Sequence, residues 1–195
     1  MKAVVLERKG GARVLRWSDV AEPEPGPGQV RVRVQAIGIN YAEILSRKGL
    51  YGWAPRRPYT LGMEAAGVID AVGSDAGREV GEAVMVGTQH GAYAEALVVP
   101  QSQALPSLSG FGPVEAAAFP VNYMTAWVSL MRLGRLSPGE TVVVSPAGGG
   151  VGTAAVQLAV ARGARVVGLA GSEDKLARVR ELGAEATVSY RRGDF

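Results

Sequence analysis

The run Val142-Val143-Val144-Ser145-Pro146-Ala147-Gly148-Gly149-Gly150-Val151-Gly152 has the composition of a phosphate-binding turn. With Ala147 at the first glycine position, Ala147, Gly149 and Gly152 fall on the G-x-G-x-x-G spacing. Backbone without side chains approaches a pyrophosphate closely, and a helix that starts there adds unpaired N–H groups and a positive dipole. Gly152 is expected to let that helix pack closely on the preceding strand. The competing reading is a glycine-rich structural turn; a strand before the loop and a helix after it favour a dinucleotide. The end of the next strand then selects which one. An acid about 20 residues beyond the loop would hold the ribose of NAD. Gly168-Leu169-Ala170-Gly171-Ser172 contains none. Glu173 and Asp174 follow in the first turn of a helix, where acids also simply complement the dipole. Ser172, Lys175, Tyr190 and Arg191 are the groups placed for a 2′-phosphate, with Gly171 beside them as a further cofactor-binding position, so the expected cofactor is NADPH. For Lys175, Arg191 and Arg192 the alternative is solvated surface charge.

The elements around this loop alternate. Strand Thr141–Ser145, loop Ala147–Gly152, helix Thr153–Arg162, strand Arg165–Leu169, helix Glu173–Leu182 and strand Ala186–Ser189 make βαβ units and a parallel sheet. Ser172 stands at an N-cap position and Gly183 at a C′ position. The first half reads as β. Val30–Ile37 alternates apolar and polar residues, and Ala3–Leu6, Val68–Val72, Ala83–Val86 and Ala92–Val99 are further short strands between glycine-rich turns. Such punctuation suggests a barrel or sandwich. Tyr41–Arg47 allows one or two helical turns, and Pro113–Ala118 and Met124–Leu133 have helical patterns. The expected domains are therefore 1–112, mainly β, and 113–195, an α/β dinucleotide-binding unit.

Composition limits the chemistry. There are 27 glycines in 195 residues, one histidine and no cysteine. Disulfides, thiolate nucleophiles and sulfur-ligated zinc are excluded, and a histidine-rich metal site with them. The net charge of +3 comes from 21 basic residues dispersed among 18 acidic ones, a poor match to a nucleic-acid binder. The amino-terminal apolar run is too short for a signal peptide, and no stretch reaches the roughly 18 apolar residues of a membrane span. A cytoplasmic protein is expected. His90, in the turn Gly87–Gly91, reads as an exposed loop residue, and Trp17, Trp53 and Trp127 read as packing residues.

Leu61-Gly62-Met63-Glu64-Ala65-Ala66-Gly67-Val68-Ile69-Asp70-Ala71-Val72-Gly73 resembles the G-H-E-x-x-G-x(5)-G signature of medium-chain dehydrogenases/reductases, with Met63 in place of histidine. Asn40, in Ile37-Gly38-Ile39-Asn40-Tyr41-Ala42-Glu43, stands where the zinc-dependent branch has its first zinc cysteine, and Val121 where it has its third ligand. The cysteine-rich structural-zinc lobe is absent. The chain therefore resembles the zinc-free quinone oxidoreductase (ζ-crystallin-like) branch, which Asn40-Tyr41, Gly49-Leu50-Tyr51, the glycine loop and Ala170-Gly171-Ser172…Lys175 also match. This implies a GroES-like β-barrel domain followed by a Rossmann domain, with NADPH and a quinone or enone bound in a cleft and no metal. It also implies homodimers for full-length members.

On the resemblance, Asn40, Tyr41, Tyr51 and Thr125 line the nicotinamide or substrate pocket. A tyrosine or asparagine there could donate to the developing oxyanion. Tyr41 and Tyr51 also fit packing at a domain junction, Glu64 fits a structural buried carboxylate, and Asn122 fits a helix cap. Family members continue beyond the third Rossmann strand, where this sequence stops, so a truncated chain is expected. Two rivals share the fold: an enoyl-thioester reductase, and a non-catalytic NADP-binding protein. The match of Val121–Ala126 to vesicle-membrane relatives keeps the second open.

Overall fold

The computed structural model describes residues 1–192. They fall into two compact units, Met1–Val121 and the part from Asn122 onward. In chain order the first unit contains β1 (Lys2–Leu6), β2 (Leu15–Asp19), β3 (Gln29–Ile37), α1 (Tyr41–Lys48) and β4 (Tyr59–Thr60). β5 (Glu64–Val72), β6 (Ala83–Gly87), β7 (Ala96–Pro100), β8 (Ala104–Pro106) and α2 (Pro113–Ala117) follow. The strands form a five-stranded antiparallel sheet in the order β7-β3-β5-β6-β8 and a three-stranded sheet in the order β2-β1-β4.

Period-two alternation in β3 does what it promised. Val30 and Val32 enter a core with Ile69, Val84, Val86 and Leu97. Arg31 and Arg33 face the other way and share Asp70 of β5, at 2.8 and 2.7 Å. Register shifts between Arg31 and Val32 and between Val34 and Ala36 bend this pair, as bulges do. β2, β4 and β8 carry no clear sequence signal. β2 is half polar, β4 has two residues, and β8 ends on Pro106, which an edge strand tolerates.

The expected domain boundary at 112/113 precedes α2, whereas the compact units divide after Val121. The reason is packing: Ala116 and Ala117 of α2 share a cluster with Ala66 and Met85 of the five-stranded sheet.

The second unit contains β9 (Thr141–Val144), α4 (Gly150–Ala161), β10 (Arg165–Ala170), α5 (Glu173–Glu181) and β11 (Ala186–Ser189), after a helix α3 (Pro120–Trp127) that bridges the division and widens into a π-turn over Val128–Leu133. Its sheet is parallel, in the order β11-β10-β9, with α4 and α5 as the crossovers. Ala154, Ala155 and Ala159 give α4 a small-residue face that packs with Val144, Val166 and Val179. Two helices start earlier than their sequence patterns suggested. α3 starts at Pro120, since proline is tolerated in a first turn, and α4 starts at Gly150, inside the glycine run. Among the described residues, no helix is long and apolar enough to cross a membrane.

Candidate functional site

In the first unit the chemistry gathers around Asn40. This residue is the N-cap of α1 and forms a capping box with Glu43. Glu43 Oε2 accepts the Asn40 N–H, and Glu43 Oε1 accepts the Met63 N–H at 2.9 Å. The Asn40 side chain reaches across to β5, where Nδ2 donates to Glu64 Oε1 at 2.8 Å; Glu64 Oε2 accepts the Val121 N–H at 2.8 Å. Two buried carboxylates thus accept from four N–H donors and, among the described residues, pair with no cation. Burial pushes both Glu43 and Glu64 above the ordinary carboxylate range, against the pull of those hydrogen bonds, and Glu43 raises Glu64 further. The Tyr93 phenol is held above its usual range by burial and by both carboxylates. Glu64 is buried, as the motif suggested. Glu43 and Tyr93 went unremarked in the sequence, although Asn40-Tyr41-Ala42-Glu43 carries the cap-x-x-Glu spacing that marks a capping box.

Tyr41 opens α1 and is exposed; Tyr51 is half-buried in the following loop, edge-on to Trp53 at a centroid distance of 6.4 Å. Trp17 and Trp53 are 65% and 76% exposed and Trp127 is 45% exposed, so the expectation that they pack is not met. His90 is exposed, as expected of its turn, with its ring edge-on to Tyr59.

These opposed carboxyl shifts set the pH dependence of stability. For Glu43 and Glu64 the folded-state pKa is raised, so ionisation costs the fold stability at neutral pH, and the cost eases as pH falls through their raised values. Asp70 differs. Burial raises it, but Arg31 and Arg33 outweigh that and hold it below the ordinary range. Its stabilisation is therefore present above the unfolded value of about 3.9 and is lost as pH falls further. Urea midpoints measured from pH 7 to 3 should rise on mild acidification and then drop, with Asp70→Asn flattening the drop. A continuous decline from pH 7 would contradict the assignment.

In the second unit the glycine run forms a loop closing on the amino end of α4, with Gly149 as N-cap in an extended conformation. Ala147 is buried and its N–H donates to the Leu169 carbonyl at 2.7 Å, tying the loop to β10. The position departs from glycine without penalty because β10 places Gly168 opposite its methyl. Gly152 meets the loop's own backbone: a Cβ there would overlap the Pro146 carbonyl oxygen and lie 2.8 Å from Ala147 Cα and C. Close approach is what requires glycine, but the partner is the loop and not the strand that the motif suggested. Gly150 is similarly close to the Asn122 side chain, which lies in the first turn of α3. Val151 and Thr125 are exposed.

The second loop, after β10, supplies the charges. Lys175 drapes its methylenes over Gly148, with Cβ and Cδ 2.9 and 3.0 Å from where a Gly148 Cβ would sit. The Tyr190 ring covers Gly171 in the same way. Ser172 caps α5 by backbone geometry alone, and its hydroxyl makes no capping bond. Glu173, the acid nearest the end of β10, is paired with Arg192 at 2.5 Å. An open groove of about 410 Å³ runs beside the loop, lined by Ala126, Val144, Pro146, Gly149, Val151 and Gly152 among others. The unpaired N–H groups at the start of a 12-residue helix, the crowded glycines and the Lys175 ammonium fit a pyrophosphate-bearing dinucleotide. Among the described residues, no group of three or more histidine, aspartate or glutamate side chains could hold a metal ion.

Comparisons with known proteins agree with this geometry. Residues 26–109 match the family model described as the alcohol dehydrogenase GroES-like domain, and residues 150–195 match that of the zinc-binding dehydrogenases. The chain is 37% identical over 197 residues to the synaptic vesicle membrane protein VAT-1 homolog of Danio rerio, spanning 100% of this chain and 40% of that protein. Among solved structures it is similar to the quinone oxidoreductase of Thermus thermophilus, described free and with NADPH, with 41% identity, a TM-score of 0.88 and coverage of 98% of this chain and 61% of that one. An NAD-dependent alcohol dehydrogenase is equally close, with 37% identity, a TM-score of 0.92 and coverage of 98% and 64%. The chain thus spans about 40% of this curated relative and about 60% of these solved chains. With a GroES-like unit followed by a glycine-loop parallel sheet, it belongs to the medium-chain dehydrogenase/reductase superfamily and resembles its quinone oxidoreductases over nearly all its length.

Proposed function

We propose that the protein is an NADPH-dependent, zinc-independent oxidoreductase that passes a hydride to a quinone or to the conjugated double bond of an enone. The observation that carries this reading is the amino end of α4, where crowded glycines leave bare backbone and Lys175 adds a positive charge above it. NADPH, when bound, supplies the hydride. The chain's own residues bind and orient. Backbone N–H groups of the Gly149–Gly152 turn hold the pyrophosphate, while Lys175 and Ser172 face the 2′-phosphate beside Tyr190. Asn40, Tyr41, Tyr51 and Thr125 belong to the nicotinamide and substrate end. A tyrosine hydroxyl there donates to the acceptor oxygen as charge develops on it, and solvent supplies the proton that completes the reduction.

The test is consumption of NADPH, followed by absorbance, with a small quinone, an enone and a crotonyl thioester, run in parallel with NADH. Oxidation with the quinone or enone and preference for NADPH support the proposal; turnover confined to the thioester identifies an enoyl-thioester reductase instead. Quenching of tryptophan fluorescence by NADPH without turnover of any acceptor would assign a non-catalytic NADP-binding protein, the reading that the likeness to the VAT-1 homologue keeps open.

A further inference from the structure

The Asn40 amide is held in one orientation by the Glu64 carboxyl group. Nδ2 donates to Glu64 Oε1 and the Val121 N–H donates to Glu64 Oε2, each at 2.8 Å. Glu64 is 1% exposed, so water offers it no other partner. Gly38 closes the remaining side: any Cβ there would overlap the Glu64 carboxylate. The Glu43 carboxylate also lies against the Asn40 side chain. Turning the amide over would set Oδ1 against a carboxylate oxygen, two acceptors with no hydrogen between them. The nitrogen end of Asn40 is thereby committed to the protein. Oδ1 faces the first turn of α1 through the capping box and keeps a second lone pair.

We propose that Glu64 is a positioning residue that makes Asn40 a hydrogen-bond acceptor toward the bound molecule, so that its partner is a neutral donor, a hydroxyl or a carboxamide N–H, and not a developing oxyanion. This rests on the reading above that Asn40 faces the cofactor or substrate. It also divides the labour: stabilising the oxyanion falls to a tyrosine hydroxyl, and Asn40 orients.

Glu64→Gln tests it. One glutamine oxygen must still accept the Val121 N–H, so the new NH₂ meets Asn40 and turns its amide over. The experiment records the Asn40 side-chain amide resonances of the full ¹⁵N-labelled chain, assigned by their loss in Asn40→Ala, and titrates NADPH by tryptophan fluorescence. The expected result is a downfield Nδ2 proton in the unsubstituted chain that moves upfield in Glu64→Gln. The NADPH Kd should rise roughly tenfold, as for one misplaced hydrogen bond. In an Asn40→Ala background Glu64→Gln should add nothing further to that Kd. An Nδ2 proton at its ordinary position, or an equal loss of affinity in both backgrounds, overturns the proposal. Should Glu64→Gln not fold, a pH titration of the unsubstituted chain replaces it: the Nδ2 resonance must move as Glu64 protonates, and one that stays fixed until unfolding overturns the proposal. Failure of the unsubstituted chain to bind NADPH would sink the proposed cofactor instead, and the resonance would still decide the orientation.

Discussion

Gly152→Ala should abolish measurable NADPH binding and lower the melting temperature by several degrees. The added methyl would overlap the Pro146 carbonyl oxygen and sit 2.8 Å from two backbone atoms of Ala147. These are backbone atoms, so no rotamer change relieves the clash. The loop or the first turn of α4 has to move, at a cost of roughly 1–3 kcal/mol by analogy with overpacked cores. For a compact unit of this size that is about 4–8 °C for each kcal/mol. Binding suffers more than stability. The N–H groups that would cradle a pyrophosphate belong to the same turn, and a displacement of a few tenths of an ångström misdirects several at once, so a loss of roughly 100-fold or more is expected. Gly77→Ala is the control. Its nearest neighbour, Gln101 Oε1, would be at an ordinary 3.8 Å, so stability should change by no more than about 0.5 kcal/mol and binding not at all. NADPH binding by Gly152→Ala as tight as by the unsubstituted chain would remove the phosphate loop from this reading.

The contrast between these two glycines shows what the chain makes legible by itself. A glycine turn between a strand and a helix is a local device: its parts are contiguous, so spacing alone shows the turn at Ala147–Gly152 and the alternation of β9, α4, β10, α5 and β11 around it. What it could not show is which atoms crowd each glycine. Gly152 answers to Pro146 in its own loop, whereas Gly148 answers to Lys175 and Gly171 to Tyr190, residues that only the parallel sheet brings near. The Asn40 site was half legible for the same reason. Asn40 stood out by replacing a cysteine, and Glu64 by its motif, but the hydrogen bond between them joins residues 24 apart in sequence. The nearer partner, Glu43, was within reach of a capping-box reading. Short edge strands such as β4 and β8 had no signal of their own, because their stabilisation comes from the strand alongside.

Lys175→Glu should raise the NADPH Kd by roughly 10–100-fold and leave NADH binding almost unchanged, the range set by one charge-assisted hydrogen bond. An acid is missing where NAD would need one. β10 ends at Ala170 followed by Gly171 and Ser172, so no carboxylate at the strand end is placed to receive a ribose 2′-hydroxyl. Glu173 could have served, but it is ion-paired with Arg192, which lowers its availability as an acceptor. What remains is the Ser172 hydroxyl, which makes no capping bond, and Lys175, whose stem is laid along Gly148. A 2′-phosphate carries nearly two negative charges that Lys175 meets favourably and a glutamate repels. NADH has no such group there and should register little. Lys175→Met separates charge from packing, since it keeps a stem over Gly148 and should cost NADPH only about tenfold. Because both a quinone oxidoreductase studied with NADPH and an NAD-dependent alcohol dehydrogenase are close in structure, the fold leaves this preference open and the residues after β10 have to decide it. Equal losses for the two cofactors would place Lys175 on the pyrophosphate, and no loss for NADPH would return it to solvated surface charge.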